Sequence, residues 1–170
     1  ALYPAPLAPV AGADAPLVRV IQPNAAQDQK WRPEMKAFFN DRIVDLTALP
    51  VRSAPQARPD LVLYPETVLT SLLENTETIR RHLAEAAGGG MLFLGVQRLD
   101  GAAAFNSLVV VDPSGAVTAT YDKHHLVPFG EYMPLQNLAR EFGLYSLANR
   151  MGLSFSSGAG PQALTLNSNS

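Results

Sequence analysis

Charged side chains that follow predicted strands are the first candidates for chemistry in this 170-residue chain. Glu66 comes directly after the apolar run 61–64, LVLY, and a carboxylate at the carboxyl end of a buried strand can act as a general base. Lys123 follows the predicted strand 117–121, where an ammonium group can stabilise an oxyanion. Glu131 lies further along and can pair with that lysine. The alternative for each residue is an ordinary solvated charge in a loop.

Histidine, glycine and serine do not point to a different chemistry. The adjacent His124 and His125 point in opposite directions on an extended chain, and no third ligand follows at metal-binding spacing. We therefore predict no metal site and no cofactor. Glycines 88–90 follow a helix and precede a strand, which is the reverse of a phosphate-binding loop. The absence of a GxSxG motif leaves a serine hydrolase of that type without support.

The composition is apolar and carries no excess of basic charge. Thirteen Lys and Arg residues against 15 Asp and Glu give a net charge of −2, which argues against a nucleic-acid binder. Hydrophobic residues make up 47% of the chain, enough for a sizeable core. Cysteine is absent, so these residues hold no disulfide, thiolate ligand or sulfur nucleophile. Apolar runs all fall short of the roughly 18 residues that a membrane span needs.

The elements that must position these charges alternate between strands and helices and then form a hairpin. Strands separated by helices indicate βαβ units, and the turn DPSG at 112–115 joins the last two strands. The order predicts an α/β fold with a mixed sheet covered by helices. Predicted strands cover residues 17–22, 61–64, 91–97, 105–111 and 117–121, and predicted helices cover 29–46 and 76–87.

Each predicted helix has one apolar face. In the helix 29–46, Pro33 fits the first turn, and the helix 76–87 has Asn75 as its predicted N-cap and Gly88 after its last residue. The predicted core faces comprise Met35, Phe38, Phe39, Ile43 and Leu46 on the first helix and Ile79, Leu83 and Ala87 on the second.

Two further segments lack a clear period. Residues 1–16, rich in alanine and proline, predict a linker. Residues 133–155 are rich in large apolar side chains, with a short helix predicted at 135–142, and the segment is either core or an apolar arm that contacts lipid or an acyl chain.

Three motifs together resemble the nitrilase, or carbon–nitrogen hydrolase, superfamily. They are YPE at 64–66, FNSL at 105–108 and YDKHHLVPFGEY at 121–132. The last one is most similar to the bacterial apolipoprotein N-acyltransferases. The resemblance predicts a partial nitrilase-like domain over residues 17–166, followed by a tail at 167–170 that matches nothing in the family.

The resemblance implies an α-β-β-α sandwich, here incomplete, and a Glu–Lys–Cys catalytic triad. Glu66 matches the general base, Lys123 the lysine that stabilises the oxyanion, and Glu131 a second glutamate that supports both. The residues predicted to contact substrate are Trp31, Phe129 and Tyr132.

The resemblance also implies a membrane-bound acyltransferase. Such an enzyme moves an acyl chain from a phospholipid, through a cysteine thioester, to the N-terminal amine of the diacylglyceryl-cysteine of an apolipoprotein. We expect the domain at the periplasmic face of the bacterial inner membrane, attached through flanking helices outside this sequence. We also expect these 170 residues to stop before the nucleophile strand, and alone to be inactive and to fold poorly. A soluble amidase or nitrilase and a degenerate, non-catalytic module stay open as alternatives.

Overall fold

The computed structural model describes residues 12, 15–51, 54–128, 131–132 and 154–164. The strands are β1 (Val18–Val20), β2 (Leu61–Leu63), β3 (Met91–Asp100), β4 (Ala103–Val111) and β5 (Val117–Asp122). The helices are α1 (Gln27–Lys30), α2 (Lys36–Ala48) and α3 (Glu77–Ala87), with 3₁₀ turns at Pro33–Met35 and Leu73–Asn75.

The strands form one mixed sheet in the order β1-β2-β3-β4-β5. The first three strands are parallel, and β4 and β5 are each antiparallel to the strand before them. This confirms the predicted α/β class. It also means that β1, β2, β3 and β5 point the same way, so the loops after β2 and β5 leave from one edge of the sheet.

Helices α2 and α3 pack together on one face of the sheet. Ile43 and Leu83 are completely buried there against Val62, Leu92 and neighbouring strand residues. Burial of such aliphatic side chains stabilises the fold by about 1.5–3 kcal/mol each. The predicted inner face of α3 is thereby confirmed. Its N-cap is Thr76 rather than Asn75, and Gly88 ends the helix in the left-handed conformation, φ 68°.

The prediction of one continuous helix over residues 29–46 is wrong. The first helix, α1, ends at Lys30. Arg32 has an extended backbone, with ψ 127°, because proline disfavours a helical conformation in the residue before it. Pro33 therefore starts a new 3₁₀ turn that leads into α2. The apolar face also differs, since Phe38 is 51% exposed, whereas Thr47 is buried.

The β3–β4 hairpin is longer than predicted, because its polar end also forms a ladder. The pairing continues to Asp100 opposite Ala103, and Gly101 turns the chain with φ 58°.

Three predicted segments lie wholly or mostly outside the described residues: the linker 1–16, the helix 135–142 and the segment 133–155. Among the helices that the structure describes, none combines the length and apolar character needed to cross a membrane.

Candidate active site

Glu66 lies in the loop that follows β2, and a glycine on β3 lets this loop pack closely against the sheet. A Cβ atom at Gly95 would lie 2.5 Å from the Thr67 nitrogen and 2.7 Å from the Glu66 Cα. Thr67 has φ 47°, a left-handed conformation that β-branched residues rarely adopt, and it is buried. Surrounding contacts therefore fix the backbone on both sides of the Glu66 carboxylate.

Lys123 follows β5, whose last residue is held by an ion pair. The Arg98 guanidinium donates two hydrogen bonds to the Asp122 carboxylate, at 2.8 and 2.6 Å, and the Ser107 hydroxyl donates a third, at 2.6 Å. The hydrogen bonds from Arg98 hold the pKa of Asp122 below its usual value. Lys123 itself donates its backbone N–H to the Asn106 carbonyl at 2.9 Å. The base of the lysine side chain is thus anchored to β3 and β4.

The Lys123 ammonium lies between two carboxylates. Its Nζ is 3.2 Å from Glu66 Oε1 and 2.8 Å from Glu131 Oε1. The Asn106 side-chain amide donates to the same oxygen of Glu66 and, at 3.2 Å, to Glu131 Oε1. We call Glu66, Asn106, Lys123 and Glu131 the carboxylate–lysine cluster.

The cluster favours charged forms of its lysine and of its more buried glutamate. The hydrogen bond to Glu131 is the main cause that raises the pKa of Lys123 above 10.5. Burial alone would raise the pKa of Glu131, but hydrogen bonds from Lys123, the Val127 N–H and Asn106 hold it below 4.5. Lys123 is therefore a permanent cation at neutral pH, suited to stabilise negative charge on a substrate oxygen.

A second lysine faces Glu66 across a small cavity. Lys30 and Glu66 line a space of about 130 Å³ whose other walls include Gln22, Phe39 and Val68. Burial lowers the pKa of Lys30, and the negative charge of Glu66 partly opposes this effect. The cavity thus combines a carboxylate, a partly desolvated ammonium group and apolar walls next to the cluster.

The structure brings Glu66, Lys123 and Glu131 together, as the sequence predicted, while their catalytic roles stay predictions. Trp31 is 45% exposed, with its ring centroid 5.6 Å from the Lys30 Nζ, and it is not among the residues that line the cavity. Tyr132 is half-buried and forms an isolated β-bridge with Pro128.

One predicted site residue lies outside the described structure, and two residues of the site were not predicted. Phe129 lies outside the described residues. Asn106 and Lys30 were not predicted as site residues, although an asparagine inside the apolar strand FNSLVVV is an unusual polar group that has to find partners when buried. Within the described ranges, His, Asp and Glu side chains form no group of three or more that could hold a metal ion.

Curated relatives match almost the whole chain, whereas no family model matches it. The apolipoprotein N-acyltransferase of Brucella suis biovar 1 (strain 1330) is 36% identical over 158 residues, which cover 88% of this chain and 29% of the relative. That of Rhizobium meliloti (strain 1021) is 36% identical over 170 residues, covering 96% of this chain and 31% of the relative. The chain thus spans about three-tenths of the length of these relatives.

Solved structures with a similar backbone have lower identity. An N-terminal amidase with an Asn-Glu-Ala peptide gives a TM-score of 0.49 at 22% identity, covering 65% of this chain and 28% of the amidase. XC1258 from Xanthomonas campestris, described as a CN-hydrolase superfamily protein with an arsenic adduct in the active site, gives 0.46 at 21% identity, covering 76% and 43%.

The mixed sheet carries a carboxylate–lysine cluster at its strand ends, and this cluster contains the three charged residues that the sequence motifs predicted. The chain is a homologue of one segment of the apolipoprotein N-acyltransferases.

Proposed function

We propose that this chain is the part of an apolipoprotein N-acyltransferase that carries the general base and the oxyanion-stabilising lysine. The observation that carries the proposal is the Lys123 ammonium, held 3.2 Å from Glu66 and 2.8 Å from Glu131. Identity of 36% to named apolipoprotein N-acyltransferases favours acyl transfer over the amidase and nitrilase reactions.

The difference in exposure supports different roles for the two glutamates. The Glu66 side chain is 60% exposed and borders the cavity, so it can reach a substrate proton. The Glu131 side chain is 14% exposed, and both of its oxygens accept hydrogen bonds from protein groups. Glu66 is therefore the general base, and Glu131 is the fixed counter-ion that orients Lys123.

In the first step, Glu66 accepts the proton of a cysteine thiol, and the thiolate attacks an ester carbonyl of a membrane phospholipid. Lys123 donates a hydrogen bond to the oxyanion that forms, an interaction typically worth about 3 kcal/mol. The lysophospholipid leaves with a proton returned by Glu66, and the acyl chain stays on sulfur as a thioester. Since the 170 residues contain no cysteine, the rest of the protein supplies this thiol, and these residues alone are inactive.

In the second step, the N-terminal amine of an apolipoprotein diacylglyceryl-cysteine attacks the thioester carbonyl. Lys123 again stabilises the oxyanion, Glu66 takes a proton from the attacking amine, and the thiol leaves in its protonated form. The product is an amide, and the enzyme returns to its starting state.

The substrates place this reaction at a membrane surface. We propose the periplasmic face of the bacterial inner membrane, with attachment through parts of the protein outside this chain. Whether the apolar residues 133–155 are core or a lipid-contacting arm stays a prediction from the sequence.

The test incubates the full-length protein with phospholipid and a diacylglyceryl-cysteine peptide. Mass spectrometry is expected to show the peptide heavier by one acyl chain, and a matched peptide with an acetylated N-terminus should stay unmodified. Release of ammonia from a peptide amide, without acyl transfer, would instead identify an amidase. If the protein neither transfers the acyl chain nor hydrolyses the amide, it is a non-catalytic module, and the proposal is wrong.

A further inference from the structure

Residues 155–158 run beside the carboxylate–lysine cluster, and the proposed mechanism makes no use of them. The Phe155 N–H donates to the Glu131 carbonyl at 2.8 Å. The Gly158 N–H donates to the Lys123 carbonyl at 3.1 Å. One four-residue segment, which we call the strap, thus binds the backbone of both the lysine and its counter-ion.

The strap is also attached to the sheet and to the residue after the lysine. The Ser156 N–H donates to the Ala104 carbonyl on β4 at 2.7 Å. The Ser157 hydroxyl donates to the His124 carbonyl. The strap therefore contacts three parts of the chain: β4, the residues Lys123 and His124 that follow β5, and Glu131.

Gly158 allows this close approach. A Cβ atom at this position would lie 2.2 Å from the Asp122 carbonyl oxygen and 2.8 Å from its carbonyl carbon. The φ of Gly158 is not positive, so its backbone conformation would allow alanine. Alanine is excluded by the steric clash with Asp122. The strap can lie against the end of β5 only because residue 158 has no side chain.

We propose that the strap is a positioning element that sets the separation between Lys123 and Glu131, and that Gly158 is its positioning residue. Two of the strap's backbone N–H groups fix the main-chain positions of these residues, so the 2.8 Å distance between their side-chain tips depends on the strap. Only the expected effect of the strap on turnover rests on the proposed function.

Alanine at residue 158 is expected to push the strap away from Asp122 and to break the hydrogen bond to the Lys123 carbonyl. Lys123 then shifts relative to Glu131, and the hydrogen bond that raises the pKa of Lys123 weakens. The pKa of Lys123 therefore falls towards its usual value. A displacement of about 1 Å in a catalytic group can lower turnover about a hundredfold.

The experiment compares full-length Gly158→Ala protein with wild type and with Gly12→Ala, a matched control whose added Cβ meets no atom of the described residues within 4 Å. Lys123 is labelled with acetic anhydride across a range of pH, and mass spectrometry of its peptide gives its pKa. The expected result is a lower Lys123 pKa in Gly158→Ala, with labelling in the alkaline range about threefold faster, and no change in Gly12→Ala. The kcat should fall about 10- to 100-fold with KM within about twofold.

A milder variant keeps the inference testable if Gly158→Ala does not fold. Ser157→Ala removes the hydrogen bond to the His124 carbonyl without adding atoms, and it should lower the Lys123 pKa by a smaller amount. An unchanged Lys123 pKa in folded Gly158→Ala, or in Ser157→Ala when only that variant folds, would overturn the proposal. Because labelling needs no turnover, a changed pKa without acyl transfer would contradict the proposed function and not the strap.

Discussion

At the scale of single residues, identical side chains differ in role because their surroundings differ. Glu66 and Glu131 both accept a hydrogen bond from Lys123, but within the part of the chain that the structure describes only Glu131 also accepts one from a backbone N–H, that of Val127 at 2.7 Å. Hydrogen bonds to a charged carboxylate favour that form. Glu131 thus favours its ionised state, whereas Glu66 is the more exposed of the two side chains and is the general base of the proposed function.

The depressed pKa of Glu131 predicts a loss of stability in acid. A carboxyl group with a lower pKa in the folded state contributes stability that is present above its unfolded value of 4.5 and is lost as pH falls through the folded value. The thermal unfolding temperature of wild type should therefore fall below pH 4.5, and that of Glu131→Gln should fall less steeply. Glu85→Gln, at an exposed position on α3, is the matched control and should follow wild type. Parallel curves for Glu131→Gln and wild type would contradict this explanation.

The sequence predicts the charged members of the cluster but not its neutral member or the second lysine. Glu66, Lys123 and Glu131 lie in motifs at strand ends, where charged residues are conspicuous. Asn106 lies inside a strand, and only the three-dimensional structure shows that its amide reaches both carboxylates. Lys30 shares a cavity with Glu66 and is the last residue of α1, and the periodic apolar pattern gave no sign that a helix ends there.

At the scale of secondary-structure elements, the site depends on how β5 ends. The Arg98–Asp122 pair spans from β3 to β5, and both side chains are only 19% exposed. Ser107 on β4 supplies the intervening contact, so three strands are joined immediately before Lys123. This part of the sheet is a firmly connected base for Lys123.

Removing the Asp122 charge should therefore cost stability. Asp122→Asn loses charged hydrogen bonds in a mostly buried place, and the free energy of unfolding should fall by about 2 kcal/mol. Asp100→Asn is the control, because Asp100 is 72% exposed and 3.6 Å from the same arginine, and its loss should cost less than about 0.5 kcal/mol. Urea denaturation measures both values. Equal losses would show that Arg98 does not distinguish the two carboxylates.

Strands were easier to predict from the sequence than helix continuity. Each predicted strand is present, with ends that differ from the prediction by up to three residues, because short runs bounded by turn residues are a reliable strand signal. Pro33 was placed correctly at the start of a helical turn, but its effect on Arg32 separated α1 from α2. The apolar spacing continues from α1 into α2, so the spacing cannot reveal that the helix is interrupted.

At the scale of the whole molecule, the topology explains why residues 57 positions apart in sequence form one site. Because β2 and β5 point the same way, Glu66 and Lys123 both leave from the same edge of the sheet. Strands β3 and β4 separate them, and β4 contributes Asn106 between the two side chains. The fold class was predictable from the order of elements, whereas this convergence depends on the register of every strand pair.

The central claim is that Glu66 is the base that activates the cysteine of the complete enzyme. The most direct measurement is the single-turnover rate of thioester formation when full-length protein is mixed with phospholipid, followed by mass spectrometry of the acylated protein. Glu66→Gln should form the thioester at least about a hundredfold more slowly than wild type, and Glu85→Gln should match wild type. A Glu66→Gln protein that is acylated as fast as wild type would contradict the account.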